Sequence, residues 1–280
     1  MNTKQWRGSL LTIITYVLLA FTVLMTLLPL GWILSTSMKG NTEIFANPPY
    51  WIPKLFTLDN YRLVLLESSI PQAFLNSLLV GLTTALASLV IGGLAGYGFA
   101  RFRFRGSKFL SLFVLISQML PLTVLMIPLY YMENSMGLID SKVGLALAHL
   151  VITMPLVIWM AKGYFAGIPK EIEEAATIDG CTVFRTFTSV ILPLVRPALA
   201  ATGIYAFISS WNEFALANVL TRSMTSRTVP IALNEFSSFF KVDWGSTMAA
   251  SAIITIPIII VFMSVQKQFV SGLASGAVKG

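Results

Sequence analysis

Long apolar runs broken by short polar stretches set the pattern of this chain. Six runs are long enough to cross a bilayer as a helix, which takes about 20 residues. They cover approximately 10–36, 73–100, 109–132, 143–165, 195–219 and 247–269. Proline lies inside several of them, at Pro29, Pro121, Pro128, Pro155 and Pro257. Membrane helices tolerate proline, and often bend there, because neighbours satisfy the freed carbonyls. The predicted fold class is an all-α membrane protein, a six-transmembrane-helix bundle in a single domain covering 1–280.

The second run carries small residues at Gly81, Ala85, Ser88, Gly92, Gly96 and Ala100. A spacing of three or four puts them on one helix face and predicts close helix packing. The loop 39–71 contains Pro48-Pro49, Pro53 and Pro71, so it is not one helix. A short amphipathic helix is predicted there, with Thr57 as its N-cap and a course through Tyr61 to Glu67.

The stretch 168–193 is a polar elbow with helical signals of its own. Pro169 favours a helix start. Glu171, Glu173 and Glu174 fall in the first turns, where carboxylates meet the positive end of the helix dipole. Ile172, Ala175 and Ala176 form a narrow face, and Asp179-Gly180 supplies a stop, since glycine accepts the left-handed conformation that a helix end requires. A second helix follows from about Thr182, with Phe184, Phe187 and Ile191 three and four apart; Pro193 and Pro197 mark entry to the fifth span. The first of these helices is predicted to be about 14 Å long. Its small side chains and glutamates suit insertion into a groove on a partner; a solvated connector is the other reading.

Composition supports the membrane assignment. The chain is 56% hydrophobic and 11% charged, with a mean hydropathy of +0.78, against about 25% charged residues in a soluble domain. The net charge of +7 does not point to nucleic acid, because the basic residues sit in short loops between apolar runs. Twelve of the 19 Lys and Arg fall on one side, among them Arg101, Arg103, Arg105, Lys108, Lys162, Lys170 and Arg185. The positive-inside rule then places both termini and the elbow in the cytoplasm. Lys4 and Arg7 precede an apolar run from Leu10 to Leu34. That run exceeds the about 7–15 residues of a signal-peptide core and reads as a retained first transmembrane helix.

Candidate chemistry is sparse. The single cysteine, Cys181, excludes a disulfide framework and a thiolate zinc cluster. His149 is the one histidine, so there is no HExxH; GxSxG and the GxxxxGK[ST] phosphate loop are also missing. Gly96-x-Gly98 lacks the third glycine of a dinucleotide fingerprint, because Arg101 stands there. Glu133 lies at a helix end, and Glu213 sits inside the fifth span, which is thin support for ion coupling. Trp159, Trp211, Asn212 and Glu213 are candidates for a substrate path or gate. The two tryptophans could equally be bundle packing, and Glu213 could equally bond to a neighbouring helix or loop. If the chain moves a solute uphill, the energy has to come from another subunit.

Glu174-Ala175-Ala176, three further residues, Gly180, and then Val190-Ile191-Leu192-Pro193 resemble the EAA motif of ABC-importer permeases, with Val190 at the motif's isoleucine. Ser37-Met38-Lys39, Thr57-Leu58-Asp59-Asn60-Tyr61, Asn76-Ser77, Ala100-Arg101-Phe102-Arg103-Phe104-Arg105-Gly106, Trp211-Asn212-Glu213-Phe214 and the tail from Gly272 to Gly280 resemble the carbohydrate-uptake, maltose-type permeases, in particular their second, G-like subunit.

The resemblance implies the type I importer (MetI-like) permease fold with a cytoplasmic coupling helix. It implies that Glu174 forms a salt bridge to an ATPase, that Ala175 and Ala176 pack closely on it, and that Gly180 makes the turn. Asp179, Leu192 and Pro193 complete the coupling region. The implied partners are a second, F-like permease, two copies of an ATPase that hold the ATP and Mg, and an extracytoplasmic solute-binding protein toward which the 220–246 loop reaches. The tail around Gly276 would lie near the ATPase dimer. The implied setting is the bacterial inner membrane, and the implied cargo a sugar or oligosaccharide, with no catalytic site, cofactor or metal in this chain. A non-sugar solute such as a glycerol-phosphate compound, or an ion-coupled transporter acting alone, remains the alternative.

Overall fold

Within a bilayer every backbone N–H and C=O needs a partner in the chain, and helices supply it segment by segment. The computed structural model describes the backbone of residues 3–236 and 242–277, and the side chains of 11–236 and 242–264. The Lys4, Arg7 and Lys267 side chains, Lys241 and the end of the tail beyond Gly276 lie outside the described side chains or residues. Nine helices carry the fold described here: α1 (Thr3–Ser37), α2 (Ile70–Arg101), α3 (Ser107–Ser117), α4 (Leu122–Ser135), α5 (Lys142–Ala166), α6 (Glu171–Ile178), α7 (Val183–Trp211), α8 (Ala215–Leu220) and α9 (Trp244–Ala277). Among the described residues five helices are long and apolar enough to cross a membrane, or six if α3 and α4 form one span.

The chain divides into two compact units. The first holds the chain up to Ser68 and Leu233–Thr255. Its order comes from the segment after α1. Asn60 Nδ2 donates to the carbonyls of Ser37 and Lys39, both at 2.9 Å, which satisfies acceptors left open at the end of α1. A Cβ on Gly245 would stand 2.6 Å from Asn60 Oδ1, so only glycine lets the start of α9 lie this close. The Lys39 ammonium donates to the Tyr50 carbonyl and sits 4.5 Å from the centroid of Trp32. The helix expected after Thr57 is Asp59–Arg62, continued by a π stretch Leu63–Glu67, and its N-cap position is Leu58. The Thr57 hydroxyl instead closes a local turn, accepting from Asp59 N at 3.1 Å and donating to Asp59 Oδ2 at 2.7 Å.

The second unit holds Ser69–Ala232 and the part of α9 from Ile256 onward. Its centre is the packing of α2, α5 and α7. The small-residue face of α2 is buried at Gly81, Ala85, Ser88, Gly92 and Gly96. A Cβ on Gly92 would lie 2.6 Å from Val157 Cγ1; one on Gly96 would lie 2.6 Å from Ala161 Cβ and 2.8 Å from Lys162 N. Such contact is the dispersion packing that holds helices together where lipid removes the hydrophobic driving force. Ser88 Oγ and Thr153 Oγ1, 3.1 Å apart, add a polar link between α2 and α5.

Two spans differ from the sequence expectation. The expected 109–132 span is α3 and α4, bent by 101° at a short break. Pro121 lies at that break: its ring denies a bond back to Ser117 and pushes Leu120 out of helical conformation. The expected 195–219 span ends at Trp211 and restarts as α8. Ahead of it, Pro193 and Pro197 are not an entry point but lie within a continuous helix from Val183. A π turn, Phe187–Ile191, widens the helix just before Pro193, which has no N–H to bond back.

Candidate functional site

The elbow is built as a stop–turn–restart. The turn after Pro169 leads into α6, whose first turn carries Glu171, Glu173 and Glu174. Gly180 takes φ +81°, which side chains resist and glycine accepts. Gly180 N donates to the Thr177 carbonyl and Cys181 N to the Ala176 carbonyl, each at 3.0 Å. These are the two bonds of a Schellman stop, and they satisfy carbonyls the helix end would leave open. The Thr182 hydroxyl then accepts from Arg185 N at 3.3 Å and caps the start of α7.

The expected narrow face of α6 is divided between two directions. Ala176 is 7% exposed and Ile172 half-buried; both face the protein, Ile172 against a cluster of Tyr97, Ala161, Phe165, Ile191, Val195 and Leu199. Glu174, Ala175 and Asp179 face outward. Ile178 is 86% exposed, and across the turn Phe184 is 76% exposed, with Val183 beside it. The elbow's outward surface thus displays large apolar side chains on both sides of its turn. Leu192 and Pro193 stand apart from that surface and line a groove of about 650 Å³ with Gly93, Phe165, Phe187 and Arg196.

Glu173 is turned inward, which the dipole argument for the acidic first turn did not distinguish. Its Oε1 accepts from Arg101 Nε at 2.5 Å, and its Oε2 lies 3.4 Å from the Tyr97 hydroxyl, which donates to it. Arg101 Nη2 also donates to the Ile168 carbonyl at 2.9 Å. The Tyr97 ring packs edge-on to Phe165, with centroids 5.3 Å apart, and lies 4.7 Å from the Phe187 ring. From the sequence Arg101 counted as a topology signal and as part of the family resemblance, not as a partner of Glu173. An arginine closing α2 and a glutamate opening the elbow helix α6 were the cue available.

The residues expected on a substrate path do not meet at one place. Trp159 is 41% exposed, its ring 5.1 Å from Lys162 Nζ. Trp211 is fully buried, stacked 5.5 Å from Phe207 and edge-on to Phe74 at 5.6 Å. Asn212 is exposed at the end of α7. Glu213 is buried, and its two oxygens accept from Leu216 N at 2.8 Å and Ala217 N at 3.0 Å, the first-turn donors of α8.

A third polar site went unseen in the sequence. Asp140 has φ +62°, a left-handed conformation that aspartate tolerates better than most residues. Its Oδ1 accepts from Arg222 N at 2.8 Å, Ser223 N at 2.9 Å and the Ser226 hydroxyl. Burial works against its charge, but the hydrogen bonds from Ser226, Arg222 and Ser223 outweigh it and hold the carboxyl below the usual carboxylate range. Asn76 Nδ2 ties the same loop to α2, donating to the carbonyls of Thr225 at 3.0 Å and Arg227 at 2.9 Å. Single Asp and Asn residues carry no spacing signal: Asn76 figured only in the family resemblance, and Asp140 not at all.

Helices long and apolar enough to span a membrane, with a structured elbow between two of them, place the chain in the class of multi-span membrane proteins. The chain belongs to the family described as binding-protein-dependent transport system inner membrane component, which it matches over residues 88–275. It is similar to the diacetylchitobiose uptake system permease protein DasC of Streptomyces coelicolor, 36% identical over 90% of this chain and 91% of that protein. It is similar also to the trehalose transport system permease protein SugB of Mycobacterium tuberculosis, 38% identical over 91% and 93%. Among solved structures, a chain of a bacterial ABC transporter involved in the import of the acidic polysaccharide alginate aligns with a TM-score of 0.80 at 23% identity, covering 95% of this chain and 98% of that one. That likeness shows the fold, the MetI-like permease fold of ABC importers.

Proposed function

We propose that this chain is the second, G-like permease subunit of a binding-protein-dependent importer that carries a sugar or oligosaccharide across the bacterial inner membrane. The observation that carries the reading is the outward surface of the elbow: Glu174, Ala175 and Ile178 on one side of the Gly180 turn, Val183 and Phe184 on the other. On the cytoplasmic face such a surface matches a cleft on an ATPase, with Glu174 set to pair with a basic residue there. ATP and Mg are held by two ATPase copies, and an F-like permease completes the pathway. Closure of the ATPase pair brings the two elbows together and exchanges inward-facing for outward-facing states. A solute-binding protein delivers cargo on the opposite side, where the loop clamped by Asp140 and Asn76 offers a fixed platform. Similarity to permeases named for diacetylchitobiose and trehalose uptake supports the sugar class.

The test is co-expression with the ATPase and second permease. Wild type is expected to co-purify with the ATPase, and Glu174→Lys to weaken that association by setting a cation against a cation. Equal recovery of the ATPase with both would remove Glu174 from the interface.

A further inference from the structure

Two helices are directly joined to the elbow by the chain: α5 enters it and α7 leaves it. The second span, α2, has no such connection; Arg101 and Glu173 are 72 residues apart in the chain. Yet the Arg101 end of α2 is joined to the elbow at three points. The guanidinium pairs with Glu173 of α6 and donates to the Ile168 carbonyl between α5 and α6, while the Tyr97 hydroxyl, one helical turn back along α2, reaches the other Glu173 oxygen. Both charged side chains are largely shielded, at 7% and 19% exposure, so the attraction is weakly screened by salt. The Tyr97 ring is packed against Phe165 of α5 and Phe187 of α7. One knot therefore gathers α2, α5, α6 and α7.

We propose that the Arg101–Glu173 clasp is a positioning device that makes α2 move with the coupling elbow as one body, so that force applied at α6 reaches a helix with no chain connection to it. This rests on the reading of the elbow as the ATPase-docking site. The fork geometry of arginine is needed, because one side chain must serve the carboxylate and the Ile168 carbonyl together; lysine offers a point charge without that fork. Beyond the clasp, the contacts of Gly96 and Gly92 against α5 leave no slack through which α2 could lag.

The experiment uses the complete complex of both permeases, ATPases and binding protein. Cys181 is replaced by serine, and spin labels are placed at Leu94 on α2 and Thr177 on α6, both exposed. Their separation is measured without nucleotide and after trapping with MgATP and vanadate. Wild type is expected to give the same distance distribution in both states. Arg101→Ala is expected to retain the ATPase but to shift or broaden the distribution on trapping, and the exchanged pair Arg101→Glu with Glu173→Arg, which restores the ion pair but not the bond to the Ile168 carbonyl, to narrow that change in part. Arg101→Lys, which keeps the ion pair, is expected to fall between and covers the case in which the alanine variant does not assemble. A wild-type distance that changes on trapping overturns the proposal, as does invariance in both Arg101 variants, or in Arg101→Lys when the alanine variant does not assemble. Failure of the wild-type chain to hold the ATPase at all would instead remove the docking reading, and the clasp's role with it.

Discussion

His149 and Glu213 face each other inside the second unit, Nε2 of the imidazole 3.3 Å from Oε2 of the carboxylate, with both side chains buried. The other imidazole nitrogen, Nδ1, is 2.6 Å from the Ser210 hydroxyl, in hydrogen-bond contact. The approach to Glu213 lacks hydrogen-bond alignment, so the carboxylate's directed bonds are the two it accepts from the start of α8. Glu213 is thus a joint: it lies where α7 stops, opens α8, and is steadied by α5 through His149.

Removing that joint is expected to cost stability in a graded way. Glu213→Ala loses the acceptors of both backbone N–H groups, worth about 0.5–2 kcal/mol as a lost cap, and removes the carboxylate that faces His149 Nε2, while the Ser210 contact of Nδ1 stays. Glu213→Gln keeps one acceptor oxygen and should lose less. Thermal unfolding of the purified chain in detergent checks the order, with wild type above Gln and Gln above Ala. Identical midpoints for all three would show that Glu213 does not hold the α7–α8 break.

Gly96 and Gly98 lie two residues apart on α2 and are expected to respond oppositely to alanine. A Cβ at Gly96 would meet Ala161 Cβ at 2.6 Å and the Lys162 backbone nitrogen at 2.8 Å, and backbone cannot move aside as a side-chain tip can. The resulting strain is expected to cost about 1–3 kcal/mol. A Cβ at Gly98 meets nothing within 4 Å, and alanine there should be neutral or slightly stabilising through its better helix propensity. Melting of the two variants side by side checks this; equal loss in both would contradict the close approach of α2 and α5.

Asp140 gives a dependence on pH. Its folded-state pKa is lowered, so the stabilisation from its charged form is complete above the unfolded value of about 3.9 and fades as pH falls below it. Asparagine tolerates the left-handed backbone but carries no charge. Asp140→Asn is therefore expected to melt below wild type at pH 6, with the gap narrowing as the pH is taken below about 4. A gap of constant size down to pH 3 would mean that hydrogen bonding alone, without ionisation, accounts for the clamp.

Much of the fold was legible because membrane helices announce themselves by length and polarity, and the small-residue face of α2 and the glycine stop at Gly180 are local signals that the structure realises locally. What escaped reading was set by tertiary contact. Pro121 breaks a span while Pro128 and Pro155 lie inside helices, a difference that composition around each proline does not encode. Ala175 and Ala176 are adjacent in sequence and face different ways, because 100° per residue buries one and leaves the other exposed. The candidates Trp159 and Trp211 share a residue type, but one is exposed and the other is core. Arg101 and Glu173 find each other only once α2, α5 and α6 are packed.

Gly180 is the position where local geometry and proposed function depend most directly on one residue. Alanine at φ +81° costs about 1–2 kcal/mol, which the Schellman bonds can bear. Proline cannot reach that angle, being held near −65°, and it also removes the N–H that Gly180 gives to the Thr177 carbonyl. The turn that places Ile178 on one side and Val183 and Phe184 on the other would open, while the spans on either side keep their lengths. Gly180→Ala is therefore expected to retain most ATPase association and uptake, and Gly180→Pro to lose both at unchanged levels in the membrane fraction. Uptake driven normally by the proline variant would show that force enters the bundle somewhere other than this elbow.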